Sequence, residues 1–314
     1  MELLGTRDVY GQALLELGRA DRNIVALDAD LSGSTMTKLF AKEFPDRFFN
    51  MGVAEQDMVG TAAGLALAGK KPFLSSFAIF ATGRAWEQVR QAVAYPRLNV
   101  KIVASHSGVC VGEDGASHQT VEDLALMRVI PNMTVIVPAD GMEMREIMKT
   151  VLDAPGPFYI RTSRMKFPVV YPKGLSFKIG RGDILRDGKD ISIIAVGLMI
   201  SEALKAADIL KEKGISARVV NMSTVKPIDR ELIVRCAEET RAIVTAEEHS
   251  IHGGMGSAVC EILAENLPVP VRMVGVRDRF GTSGTGPELL DYYGLRAADI
   301  VERAHEVLAL KRRK

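Results

Sequence analysis

The chain alternates short apolar runs with longer stretches in which apolar residues return every three or four positions. Over residues 7–21, Tyr10, Ala13, Leu14 and Leu17 recur at helical spacing and predict a helix. The segment 23–30 then carries Ile24-Val25-Ala26-Leu27 and ends on acids, which predicts a buried strand; 32–35 reads as the loop after it. Further strands are predicted at 47–50, 71–77, 100–106, 134–138 and 158–161, with helical stretches between them such as 86–94. Strands that are apolar throughout and alternate with helices predict a parallel sheet covered on both faces.

The pattern weakens over residues 165–190, where Pro168, Pro172, Gly174, Gly180, Gly182 and Gly188 cluster. A second series follows, with strands at 191–196, 216–221, 242–247 and 271–276 and helices at 199–213, 231–240 and 255–266. The predicted fold class is therefore α/β, with two open, mainly parallel-sheet domains. The first spans 1–170, a linker spans 171–189, and the second spans 190–314.

Composition narrows the function classes. A length of 314 residues accommodates two domains, and 47% hydrophobic with 25% charged residues is the balance of a globular protein. A formal net charge of +1 supplies no field for nucleic acid or a membrane surface. Cys110, Cys236 and Cys260 are too far apart for a disulfide framework or a metal-ligand pair, which fits a reducing cytoplasm. No apolar run is long enough to span a bilayer, and the first residues lack the apolar core of a signal peptide. The basic end 311–314 reads as a solvated tail.

In open parallel sheets, ligands bind outside the carboxyl ends of the strands. The polar clusters that follow predicted strands are 30–35, 50–55, 75–80 and 106–118, all expected on one edge of the first sheet. At the centre of this set, Phe48-Phe49-Asn50-Met51-Gly52-Val53-Ala54-Glu55 leads into Thr61-Ala62-Ala63-Gly64-Leu65-Ala66-Leu67-Ala68. The small residues predict a helix packed closely on its neighbours. Glu55 then sits in its first turn, where a carboxylate is favoured by the helix dipole or serves as a buried acid–base group. The segment 106–119 holds His106 and His118, with Asp114 between them and no apolar periodicity. It reads as a Gly-rich surface loop or as a set of donors and acceptors for hydroxyl-rich or phosphorylated ligands. Phe77 and Phe80 could hold a planar ring or pack in the core. Arg161 and Arg164 could bind phosphate or be solvated.

Two motifs, Phe49-Asn50-Met51-Gly52-Val53-Ala54-Glu55-Gln56 and Gly112-Glu113-Asp114-Gly115-Ala116-Ser117-His118-Gln119, resemble the pyrimidine-binding half of transketolase. The resemblance extends from about Gly5 to Phe280-Gly281-Thr282-Ser283-Gly284 and Pro287-Glu288-Leu289-Leu290. It implies a thiamine diphosphate fold, with a pyrimidine domain followed by a transketolase-type C-terminal domain. The family holds the diphosphate and Mg²⁺ through a Gly-Asp-Gly motif and a downstream Asn. This sequence has no Gly-Asp-Gly; Gly182-Asp183-Ile184 is the nearest.

The resemblance therefore implies the C-terminal subunit of a split transketolase. A separate N-terminal subunit would hold the diphosphate and Mg²⁺, the cofactor would be shared, and the assembly would be α2β2. The activity implied is transfer of a two-carbon ketol unit from a ketose phosphate to an aldose phosphate, within carbohydrate metabolism of the pentose phosphate type. By motif, Glu55 resembles the residue that hydrogen-bonds N1′ of the aminopyrimidine and so promotes removal of the proton at C2 of the thiazolium. Phe77 and Phe80 resemble the aromatics packing on that ring, and Asp30 an acid near the cofactor. His106, Asp114 and His118 resemble the groups that contact substrate hydroxyls, with both histidines catalytic. Arg7, Ser34 and Arg164 resemble the substrate-phosphate site. No residue is assigned to a metal.

Departures from the family are Ala54-Glu55-Gln56 where Arg-Glu-His is frequent, Ala116-Ser117 in place of Pro-Thr, and Leu74 at a position often aromatic. A 1-deoxyxylulose-5-phosphate synthase shares the Glu and the Asp-Gly-x-x-His spacing but is usually one long chain. The β subunit of a 2-oxoacid dehydrogenase is a separate chain whose loop fits sugars less well. A non-catalytic partner protein is the alternative from another class.

Overall fold

The computed structural model describes residues 2–171 and 175–311. Fourteen strands occur among these residues: β1 (Leu3–Leu4), β2 (Ile24–Asp28), β3 (Phe48–Asn50), β4 (Lys71–Ser75), β5 (Lys101–Ala104), β6 (Thr134–Ile136), β7 (Phe158–Arg161), β8 (Phe167–Pro168), β9 (Asp183–Arg186), β10 (Ile191–Ala195), β11 (Ala217–Asn221), β12 (Thr224–Lys226), β13 (Ile243–Ser250) and β14 (Val271–Val276). They form a seven-stranded sheet in the order β12-β6-β7-β5-β4-β2-β3, a five-stranded sheet in the order β14-β13-β10-β11-β9 and a two-stranded sheet of β1 and β8. Within the two large sheets only the edge strands β12 and β9 run antiparallel to their neighbours, and β1 and β8 pair antiparallel with each other. The α/β class with two mainly parallel sheets is thus as the apolar pattern predicts.

Strand periodicity sorts the core. In β2, Ile24 and Ala26 join the cluster beneath the helices Thr6–Ala20 and Gly141–Asp153, whereas Val25 and Leu27 point to the opposite face. That opposite face also takes Leu74, Ile102, Val135, Ile194, Val220 and Met255, so one apolar layer is shared by both sheets. The two units are joined through this layer and by β12, a strand from the second half of the chain that completes the first sheet.

Several expectations are corrected. Residues 183–186, inside the stretch read as a linker, form β9 and pair with β11; the surrounding glycines mask a short run whose side chains are all half-buried. Pro172 and Gly174 of that stretch lie outside the described residues. Residues 32–35 form a short helix, Ser32–Thr35, rather than a loop. Lys311 is no part of a solvated tail: it ends the helix Ala297–Lys311, and its Nζ donates to the carbonyls of Asp190 (2.9 Å) and Thr240 (2.8 Å). Residues 312–314 lie outside the described residues.

The helix Glu55–Leu67 buries Met58, Val59, Ala62 and Ala63, but its glycines face outward. A Cβ at Gly60 or Gly64 would meet nothing within 4 Å, and Leu67 is 75% exposed. The stripe at 58, 59, 62 and 63 contacts the sheet, and 60, 64 and 67 fall on the far side of a 3.6-residue turn. Leu74 is fully buried in the shared layer, between Leu27 and Ile102 on neighbouring strands, and does not reach the sheet edge.

Candidate active site

The carboxyl ends of β2, β3, β4, β5 and β7 are adjacent in the sheet, so the segments that leave them converge on one edge. Thr6, at the start of the first long helix, joins this edge by accepting a hydrogen bond from the Ser163 amide (2.9 Å).

Glu55 is the first residue of its helix and is 1% exposed. Its Oε2 accepts from Nη1 of Arg84 at 2.7 Å, and its Oε1 accepts from Ser76 Oγ at 3.4 Å. No backbone amide holds it among the described residues. Arg84 is 44% exposed and lies over the Phe80 ring, 4.5 Å from the centroid. Phe80 is nearly parallel to Phe77 (6.1 Å between centroids, 12°), and Phe77 stacks on the His106 ring (3.9 Å, 19°). The half-buried His118 closes this group, with its ring edge-on to Phe77 (5.9 Å) and Phe80 (5.5 Å).

His106 adopts a left-handed backbone conformation (φ 57°), which turns its side chain back over the sheet edge. Its Nε2 lies 3.3 Å from Arg7 Nη1 and its Nδ1 2.9 Å from Ser105 Oγ. A guanidinium only donates, so Nε2 is the acceptor and Nδ1 carries the proton that goes to Ser105. Burial, and then the positive charges of Arg7 and Arg164, lower the pKa of His106 to about 3, so it is neutral at physiological pH. Arg7 also donates to the backbone carbonyl of Ser34 (3.2 Å), not to its hydroxyl. Arg164 donates to the Val111 carbonyl (2.7 Å) and lies 3.3 Å from Asp114 and 3.4 Å from Glu113. Arg7 and Arg164 thus form a partly exposed cationic edge beside the buried, neutral His106 and an aromatic face that leads to a buried carboxylate.

Of the ten residues proposed from sequence, nine fall into this connected group: Arg7, Ser34, Glu55, Phe77, Phe80, His106, Asp114, His118 and Arg164. Asp30 does not join it through any hydrogen bond; it sits exposed at the end of β2, in a left-handed conformation (φ 62°), and accepts from Asn50 Nδ2 (3.0 Å). Asp28, two residues earlier, is the buried acid there. It accepts from Thr35 Oγ1 (2.6 Å), Thr37 Oγ1 (2.9 Å) and the Leu31 amide, and burial raises its pKa. Arg161 is also corrected. It is buried at the end of β7, paired with Asp123 (2.9 Å) and bonded to the Glu248 carbonyl, so it holds the two units together and cannot reach a phosphate.

Sequence reasoning missed Arg84 and did not single out Ser76. Arg84 had one signal: it follows Phe80 by four residues, the helical spacing that places a guanidinium on a ring. Among the described residues no three His, Cys, Asp or Glu side chains cluster as metal ligands. A surface hollow of about 540 Å³, lined by Arg186, Asp187, Lys211 and Ser216, is on the second unit and contains none of these groups.

A buried carboxylate at a helix start, an aromatic face and a cationic edge thus meet on one sheet edge of a two-unit α/β chain. Comparisons with known proteins agree. The pyrimidine-binding domain family of transketolase matches residues 3–169, and the transketolase C-terminal domain family matches residues 180–300. A putative transketolase C-terminal section of Methanocaldococcus jannaschii is 53% identical over 96% of both chains. A 6-deoxy-6-sulfo-D-fructose transketolase subunit of Clostridium sp. (strain MSTE9) is 46% identical over 97% of this chain and 95% of that one. A solved structure described as a split-gene transketolase in an inactive β4 tetramer is 54% identical, with a TM-score of 0.92 over 98% of this chain and 99% of that one. The chain therefore belongs to the transketolase family, as a C-terminal subunit of the split, two-chain type.

That family depends on thiamine diphosphate, and the residues present fit the aminopyrimidine end of it. Glu55 Oε1 has only one long contact, so it is available to a ring N–H, and the half-buried Phe80 lies next to it beneath Arg84.

Proposed function

We propose that this chain supplies the pyrimidine-binding half of a composite transketolase site. The observation that carries the reading is Glu55: a buried carboxylate held by side chains only, opening onto Phe80 and Phe77. Bound thiamine diphosphate would supply a nucleophilic thiazolium carbon and an electron sink for ketol transfer. Glu55 holds a proton at N1′ of the aminopyrimidine, and Phe77 and Phe80 fix the plane of that ring. Neutral His106 and the neighbouring His118 bind sugar hydroxyls and move protons there, with Asp114 orienting the loop side through Arg164. Arg7 and Arg164 bind the substrate phosphate, with the backbone carbonyl of Ser34 holding Arg7 in place.

In this reading a separate N-terminal subunit holds the diphosphate and Mg²⁺, and two copies of each chain assemble as α2β2. The substrates are a ketose phosphate and an aldose phosphate. Free Cys110, Cys236 and Cys260 suit a reducing compartment, and we place the enzyme in the cytoplasm. The test is reconstitution. The purified chain with thiamine diphosphate and Mg²⁺ should show no ketol transfer, and adding the complementary subunit should restore it. Robust turnover by this chain alone would overturn the composite site.

A further inference from the structure

The segment 281–286 of the second unit lies against the loop that carries Asp114 and His118, although no role is assigned to it above. The contact centres on Gln119, which is 5% exposed. Its Nε2 faces three backbone carbonyls: Val109 (3.0 Å) and Gly112 (3.2 Å) within the loop, and Thr282 (2.9 Å) in the second unit. Three acceptors around one nitrogen fix the amide orientation, because a rotated amide would point an oxygen at all three. Gln119 Oε1 is buried without a hydrogen-bond partner and is turned toward Gly281, where any Cβ would overlap it. The close approach continues along the segment. A Cβ on Gly115 would lie 2.6 Å from Ser283 Oγ, and one on Gly112 would lie 3.4 Å from the Gly284 carbonyl. Both glycines have positive φ, 71° and 89°, so the loop's turns and its contact with the second unit depend on the same positions.

We infer that Gln119 is a positioning residue through which the second unit, at Gly281 and Thr282, sets the place of His118 and Asp114 for the sugar substrate. Gln119 pins the chain inward directly after His118, which leaves the imidazole directed at Phe77 and Phe80. The inference rests on the reading that His118 contacts the sugar.

The experiment uses the reconstituted two-chain enzyme. Gln119→Met keeps the length of the side chain and removes the donor. Gly281→Ala leaves every catalytic group untouched and displaces Gln119 from the other unit. Each should lower kcat/KM for the sugar phosphates about 10- to 100-fold, the effect of a displacement on the order of 1 Å. The affinity for thiamine diphosphate, followed by fluorescence quenching, should stay within about twofold, a separation that general damage to the fold would not produce. The double variant should be no worse than the poorer single one, since both act on one contact. If Gln119→Met yields little folded chain, Gly281→Ala decides alone. Unchanged kcat/KM in Gly281→Ala, or additive losses in the double variant, would overturn the inference. A parallel His118→Ala variant separates the two ideas. If it loses sugar turnover while Gly281→Ala does not, the coupling is wrong. If it too is silent, the reading of the loop as a sugar contact fails, and the inference with it.

Discussion

The helices Glu55–Leu67 and Met255–Asn266 each begin against a buried glutamate, and the two glutamates are held in different ways. Glu247, inside β13, accepts from the Met255 amide (2.7 Å) and the Gly256 amide (2.8 Å), the first donors of the helix Met255–Asn266. Backbone groups fill both of its oxygens. Glu55 is equally buried, yet its helix donates nothing to it, and its partners are the hydroxyl of Ser76 and the half-exposed guanidinium of Arg84. A third buried glutamate, Glu143, resembles Glu247: the Ala139 amide and Asn221 Nδ2 saturate it. Burial alone therefore does not mark a reactive carboxylate. Glu247 is saturated by backbone groups that cannot leave, whereas Glu55 is held by side chains that a ligand can replace, as its proposed role requires.

The sharpest test is the same conservative change at both helix starts. Glu55→Gln should leave folding and assembly intact and lower kcat by about 10²–10⁴, the range of general acid–base contributions. Exchange of the C2 proton of bound thiamine diphosphate should slow in parallel. Exchange at the wild-type rate would reduce Glu55 to a helix-end carboxylate.

The next effect concerns pH. Burial raises the Glu143 pKa from 4.5 to about 7. The folded chain therefore holds this proton more tightly than the unfolded chain. The resulting stabilisation is fully present below pH 4.5 and is lost as pH rises toward 7, a change of about 3 kcal/mol. Urea unfolding of the purified chain at fixed concentration between pH 5 and 7 should show this slope, and Glu143→Gln should flatten it. Equal slopes in the two proteins would contradict the assignment.

Glu247→Gln should reverse the pattern of Glu55→Gln. One amide of its helix loses a charged acceptor, so the chain should lose about 1.5–3 kcal/mol of stability in urea titrations. Activity per folded molecule should stay unchanged, and a fall in kcat without a fall in stability would erase the contrast. The smallest effect is expected at Arg164, which is half exposed. Arg164→Ala should raise KM for phosphorylated sugars roughly tenfold with little change in kcat, since a remote charge clamp contributes largely uniform binding. An unchanged KM would make it a solvated side chain.

Much of the fold was legible because buried parallel strands are written as short apolar runs. The strands at 24–28, 71–75, 101–104, 191–195 and 271–276 were located that way. The half-buried edge strand β9 and the three-residue β12 carry no such signal, and β12 joins a sheet about 90 residues away from its own neighbours in sequence. Nine residues of the connected group could be named because they lie in polar segments after strands or at positions where the sequence resembles the family. Arg84 and Gln119 could not, since their partners at Glu55 and Thr282 are 29 and 163 residues distant.

The amino-acid sequence by itself determined the α/β class, the sheet edge at which polar residues gather and the family whose motifs they carry. These depend on local apolar periodicity and on short motifs, which are properties of neighbouring residues. Only the tertiary structure decided that Glu55 is held by Arg84 and not by its own helix, and that Arg161 faces Asp123 while Arg164 faces the site. It also decided that the second unit meets the loop 109–119 through Gln119. Each of these depends on which side chains meet across the shared core, and that follows from packing the whole chain rather than from any one stretch of it.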